Sequence, residues 1–206
     1  MWIRASIALV LGGFLALTAR ALAAYGYVGF FEQAFANSVV SVLAFDLVIC
    51  LGMIAVFIYH DARKLGMSPW PYVAIGAVFG VAGPLLYLLR RFGRHEPFVE
   101  PPQIPAGILL SVLVAFAAAT AFAIQQHGYM AFLSYALANE ATQLLFVDLA
   151  LSLLLVVAWI IRDARSRRVR YLPYLALALL FGSVGPLLYL IVNWGRRARR
   201  ESLQIA

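Results

Sequence analysis

The chain has 206 residues, 64% of them apolar and 12% charged, with a mean hydropathy of +0.90. A soluble domain runs nearer half apolar and a quarter charged, and a globule this size cannot hide so much apolar surface, so the composition points to an integral membrane protein. The net charge of +7 is carried by 15 Arg and one Lys set mainly where apolar runs end, which is how anchors meet anionic headgroups and excludes a nucleic-acid footprint.

Six apolar runs follow one another at roughly 3–23, 39–59, 71–90, 105–125, 141–161 and 172–192. Each is close to the 20 or so residues that a helix needs to cross a bilayer core. The first has Arg4 and a small-residue stretch, Ala21-Leu22-Ala23, in the manner of a signal peptide. Its counterpart at 105–125 lies in mid-chain, so the first run is read as a retained span. The second and fifth runs carry Asp46 and Asp148, and the third and sixth carry Gly80-x-x-Gly83-Pro84 and Gly182-x-x-Gly185-Pro186. Between the third and fourth, four prolines in residues 96–105 cannot continue a helix and mark a linker. The division is therefore a first unit over 1–95, the linker over 96–105, a second unit over 106–198 and a basic tail over 199–206. The single cysteine, Cys50, sits inside an apolar run, so neither a disulfide framework nor a thiolate metal site is expected.

A shift of 102 positions superposes the chain on itself without a gap. Asp46-Leu47 falls on Asp148-Leu149, and Asp61-Ala62-Arg63 on Asp163-Ala164-Arg165. Gly83-Pro84-Leu85-Leu86-Tyr87-Leu88 recurs unchanged as Gly185-Pro186-Leu187-Leu188-Tyr189-Leu190. The string Gly29 to Asn37, then Asp46-Leu47, then Asp61-Ala62-Arg63-Lys64-Leu65-Gly66-Met67, then Pro84 to Leu88 resembles a small bacterial membrane family, domain of unknown function twenty-eight thirty-four. In the second half Ser166-Arg167-Arg168-Val169 replaces the Lys-Leu-Gly-Met turn, a looser match. The resemblance implies a three-span unit and a bacterial inner-membrane location, and it supplies no activity.

The expected fold is all-α, six transmembrane helices as two homologous three-helix repeats. An odd number of spans per repeat inverts the second half, a common plan of transporters with a site at the repeat interface. With six crossings the basic residues divide seven against nine between the two sides, which decides no orientation. If the third and sixth runs instead dip in and return at their Gly-x-x-Gly-Pro strings, fifteen lie on one side and only Arg20 on the other, as the positive-inside rule prefers. Proline kinks in spanning helices are commoner than re-entrant loops, and broken backbone in lipid needs cover, so the expectation is six full spans.

Asp46 and Asp148 lead the candidate site. A carboxylate so far inside a span faces a bundle interior or a cavity, where it suits proton relay or general-acid work. The plainer reading is two structural acids bonded to neighbouring helices, through Ser41, Gln143 or Ser152. Asp61 with Arg63, and Asp163 with Arg165, read as interfacial charge pairs at helix C-terminal ends. Gly80, Gly83, Pro84 and Gly182, Gly185, Pro186 read as close helix packing with a kink, or as a break. The aromatic segments 25–37 and 127–139 read as interfacial helices or caps on the site.

Lys64 at a span end excludes a retinal Schiff base, and His60, His95 and His127 at run ends offer neither a haem pair nor a zinc set. No Walker loop, Ser-His-Asp pattern or dinucleotide fingerprint occurs; no cofactor or metal is expected. The leading expectation is transport or binding of a small hydrophobic, amphipathic or cationic solute at the repeat interface, with membrane lipids as surroundings. A membrane enzyme acting on an isoprenoid or other lipid, and an accessory subunit of a membrane complex, are the alternatives.

Overall fold

Backbone in lipid must satisfy its own N–H and C=O groups, which a helix does internally, and the apolar runs fold accordingly. The computed structural model describes residues 2–92 and 104–193. Among these are eight helices, α1 (Trp2–Ala34), α2 (Ser38–Lys64), α3 (Trp70–Phe79), α4 (Ala82–Arg91), α5 (Ala106–His127), α6 (Ala131–Ala136), α7 (Glu140–Arg167) and α8 (Leu172–Phe181), followed by α9 (Val184–Asn193). No strand occurs among them. The basic tail and most of the Pro-rich linker, with His95, lie outside the described residues.

Local chemistry explains the helix starts. Asn37 caps α2 by accepting from the N–H groups of Val39 and Val40, and Asn139 caps α7 in a reciprocal box with Thr142. The turn after α2 uses Gly66 at φ 66°. At the same place in the second repeat stands Arg168 at φ 54°, ψ 40°, a left-handed conformation that costs a non-glycine residue about 1–2 kcal/mol.

Four helices, α1, α2, α5 and α7, are long and apolar enough to cross a membrane, where the sequence reading expects six. The third and sixth runs are each divided into two ten-residue helices that fold back on each other. Tyr72 and Tyr87 would stand about 22 Å apart along a continuous helix; their ring centroids are 5.3 Å apart, and Arg90 Nη1 donates to Tyr72 Oη at 3.1 Å. Tyr174 and Tyr189 repeat the first contact at 5.3 Å. The break has a turn geometry: Gly80 at φ 58°, ψ −130° followed by Val81 at φ −64°, ψ −12° has the dihedrals of a type II′ turn, whose first corner is glycine's. Gly182 adopts φ 59°, ψ −127° at the equivalent corner. Gly83 and Gly185 allow the limbs to close, because a Cβ on either would run into the backbone of Tyr72 and Gly76, or of Tyr174 and Ala178. Pro84 lies in the first turn of α4 and Pro186 in that of α9, where a missing N–H removes no intrahelical bond. The Gly-x-x-Gly-Pro strings are therefore hairpin corners and not kinks in a spanning helix.

Nor are the repeats inverted. One cavity is lined by equivalent residues of both: Ile7 with Leu109, Met53 with Leu155, Phe57 with Trp159, Tyr87 with Tyr189. Corresponding ends of the two repeats thus meet at one end of the bundle. Toward its other end lie the cross-repeat bonds of Asn139 to Gln33, Ser38 to Gln126 and Arg20 to Glu140. The repeats run in the same sense, with α2 and α7 packed against each other along the centre.

Candidate functional site

Asp46 on α2 and Asp148 on α7 are 5% and 7% exposed. Each reaches across the repeat interface to the corner of the other repeat's hairpin. Asp46 Oδ1 accepts from the Ser183 N–H at 2.8 Å, and Asp148 Oδ1 from the Val81 N–H at 2.7 Å. These N–H groups open α9 and α4, where backbone donors lack intrahelical partners and negative charge is favoured. The acids are seated against the corner glycines: a Cβ on Gly80 would fall on the Asp148 carboxylate, and one on Gly182 on that of Asp46. The side chains named as partners by sequence do other things. Ser41 donates to the Asn37 carbonyl and Gln143 to that of Leu137, while Ser152 Oγ is buried without a hydrogen bond among the described residues.

The second acid of each repeat holds the base of its own hairpin. Asp61, fully buried, accepts from Tyr87 Oη at 2.5 Å and from Arg91 Nε at 2.7 Å, both on α4. Asp163 accepts from Tyr189 Oη at 2.5 Å and from Arg167 Nε at 2.8 Å. Arg63 and Arg165, the partners expected from sequence, lie elsewhere. Arg63 donates to Tyr59 Oη at 2.8 Å and stands over its ring, and Arg165 stands over Tyr171. The reason is helical phase: residues two apart point to different sides of a helix, so the acid turns inward while the arginine turns out. Position 91 has Asn193 as its equivalent, and the second repeat draws its arginine from position 167 of α7 instead.

Each hairpin is thus fixed at its corner by the other repeat and at its base by its own. Tyr87, Tyr189, Arg91 and Arg167 are the residues that sequence reasoning passes over. The unchanged Gly83–Leu88 string, with a polar tyrosine inside an apolar run, was the available signal for the first two. The aromatic segment 127–139 does reach a hairpin corner, through Tyr129 Oη donating to the Leu180 carbonyl at 2.7 Å.

Between α2 and α7, on the side of the hairpin bases, lies the cavity already mentioned, of about 440 Å³. Among the described residues its wall is almost wholly apolar, with Tyr87, Tyr189, Arg162, Asp163 and Asn193 as the polar exceptions. Asp46 and Asp148 are not part of that wall. Among the described residues no three His, Cys, Asp or Glu side chains assemble into a metal-binding set.

Helices fit to span a membrane, in a duplicated unit whose two copies brace each other's hairpins, define the class of protein. The chain belongs to the family described as protein of unknown function DUF2834, whose profile matches residues 5–92 and again 106–193. No curated protein and no solved structure matches it.

Proposed function

We propose that this is a multi-pass protein of the bacterial cytoplasmic membrane that binds, for transport or delivery, a small amphipathic solute between its two repeats. The observation that carries this reading is the apolar cavity of about 440 Å³ at the repeat interface, within the size range of small-molecule sites. Asp46 and Asp148 are the proton- or cation-responsive groups of this reading. They act on the ligand through the hairpins they hold, since those hairpins supply Pro84, Leu85, Tyr87, Tyr189 and Leu190 to the cavity wall. The test is saturable binding of a lipophilic fluorophore to purified protein in nanodiscs. Ala158 lines the cavity, and Ala158→Phe is expected to weaken binding about tenfold, the loss of roughly 1.4 kcal/mol. Phe45→Ala, on an exposed position of α2, leaves it unchanged. Absence of saturable binding, or equal binding by both variants, would remove the reading.

The membrane placement in this proposal has four crossings and two hairpins entering from one face. That face then carries fifteen of the sixteen basic residues and is cytoplasmic. Gly66→Cys and Arg168→Cys, equivalent positions in a Cys50→Ser background, are expected to label with a membrane-impermeant maleimide from the same, cytoplasmic face. Labelling from opposite faces contradicts the placement.

A further inference from the structure

A second, polar pocket opens at the C-terminal end of α2, apart from the cavity between the repeats. It is framed by Tyr59 and Arg63 of α2, Gly66 and Ser68 of the turn, and Trp70 at the start of α3. Arg63 and its neighbour Lys64 are exposed, and no carboxylate pairs with either among the described residues. Asp61 is turned inward and bound by Tyr87 and Arg91. Arg63 donates through Nη1 to Tyr59 Oη at 2.8 Å and stands 5.4 Å over that ring. Trp70 closes against the same tyrosine, with ring centroids 6.0 Å apart. The guanidinium is thus steadied by one nitrogen and keeps further donors for an anion, in the fork geometry that suits phosphate. Below the pocket runs an apolar track. Trp70, 66% exposed, is followed along α3 by Ala74, Ala77 and Val78, all exposed and on one side of the helix. Cations at the head of an exposed apolar stripe match the form of an amphiphile.

We infer that this pocket holds the phosphate headgroup of one anionic phospholipid, with an acyl chain lying along Trp70, Ala74 and Val78. The inference does not depend on the cavity between the repeats. It rests on the membrane placement proposed above, which sets the pocket at the cytoplasmic leaflet, where anionic lipids attract basic segments. A choline or ethanolamine head is disfavoured because its ammonium would meet Arg63 and Lys64, and because Arg63 already covers the Tyr59 ring that would otherwise attract a cation. A free phosphate would satisfy the cations but leave the stripe on α3 unused. Only the first repeat has this frame. At the 102-residue offset Ile161, Ser166 and Leu172 stand in place of Tyr59, Lys64 and Trp70, and Arg165 stands over Tyr171 instead. The base of the second hairpin is richer in arginine, so charge alone predicts the larger effect at Arg165, whereas the pocket predicts it at Arg63.

The experiment is native mass spectrometry of the full-length protein, titrated with phosphatidylglycerol or phosphatidylcholine of the same acyl chains and read as the affinity for the first bound lipid. Phosphatidylglycerol is expected to bind about tenfold tighter, and Arg63→Gln to remove most of that preference. Trp70→Leu, which copies position 172, is expected to weaken phosphatidylglycerol about fivefold, and Arg165→Gln to change it by less than about twofold. All three positions are exposed, and the comparison of the two lipids on the unaltered protein needs no variant. Equal affinity for the two lipids overturns the inference, as does a loss in Arg165→Gln that matches or exceeds the loss in Arg63→Gln, which would mark diffuse charge. Displacement of the bound lipid by millimolar inorganic phosphate also overturns it, in favour of a site for the free anion. If the maleimide labelling contradicts the membrane placement while the dependence on Arg63 and Trp70 holds, the leaflet is wrong and the lipid site stands.

Discussion

Replacing Arg91 with methionine is expected to be among the most damaging single substitutions in this chain, costing about 3–5 kcal/mol of stability. Arg91 and Asp61 are 1% and 0% exposed, and the guanidinium Nε lies 2.7 Å from the carboxylate. Methionine fills much of the space but withdraws the Nε donor and its charge from a carboxylate that stays buried against Tyr87, and the loss of that charge-assisted bond sets the cost. The second repeat supplies the control. Arg167, which serves Asp163, is 20% exposed beside an acid that is 9% exposed. Water screens that pair in part, so Arg167→Met is expected to cost distinctly less. Unfolding in mixed micelles by titration with a denaturing detergent measures both. Adding Asp61→Asn to Arg91→Met should restore part of the loss, since it removes the buried charge that Arg91 offsets. A cost below about 1 kcal/mol for Arg91→Met, or no recovery in the double variant, would show that the pair does not hold the hairpin base.

The second large effect concerns the corner glycines. At Gly80 and Gly182, φ of 58° and 59° with ψ near −130° lies in a region that glycine alone enters freely. An added methyl at either would also occupy the place of the Asp148 or Asp46 carboxylate. Backbone strain of about 1–3 kcal/mol, overpacking of about 1–3 kcal/mol and a weakened hydrogen bond act together. Gly182→Ala is therefore expected to destabilise by about 3 kcal/mol or more, and Gly80→Ala similarly. The two components separate in a double-mutant cycle. Asp46→Ser removes the carboxylate that the methyl meets, so it should cost clearly less in the Gly182→Ala background than in the unaltered protein. Strict additivity of the two changes would mean that acid and glycine are not in contact.

Much of this architecture was legible before any coordinates. The 102-residue offset reappears in the structure contact by contact: Asp46 to Ser183 mirrors Asp148 to Val81, and Asp61 to Tyr87 mirrors Asp163 to Tyr189. Asn37 and Asn139 stand ahead of apolar runs and cap them. The hairpins were half legible. The arginine distribution favours them, yet a Gly-x-x-Gly-Pro string reads equally as a kink, and the choice turns on whether Tyr72 and Tyr87 meet, a contact that composition does not encode. The partners of the buried acids were not legible at all. A backbone N–H is present at almost every residue, so nothing at Ser183 announces that it serves a carboxylate 137 positions earlier. The arginines beside Asp61 and Asp163 in sequence drew the pairing to Arg63 and Arg165, whereas the partners sit 30 residues away on α4 and four residues on along α7.

The crossed arrangement of acids and hairpin corners also bears on how such a chain arises. A lone unit would present an acid with no corner to hold and a corner with no acid, and a second unit satisfies both at once. In the proposed placement, two crossings and a hairpin return both ends of a unit to one face, so two such units can be joined head to tail through a short stretch without turning either over. Fusion then lifts a constraint that identical subunits obey. A homodimer must use one sequence for both halves, but the fused chain keeps arginine at position 91 and places asparagine at 193, glycine at 66 and arginine at 168. Symmetry supplies the frame, and the freedom to depart from it gives one side of the cavity a chemistry that the other side lacks.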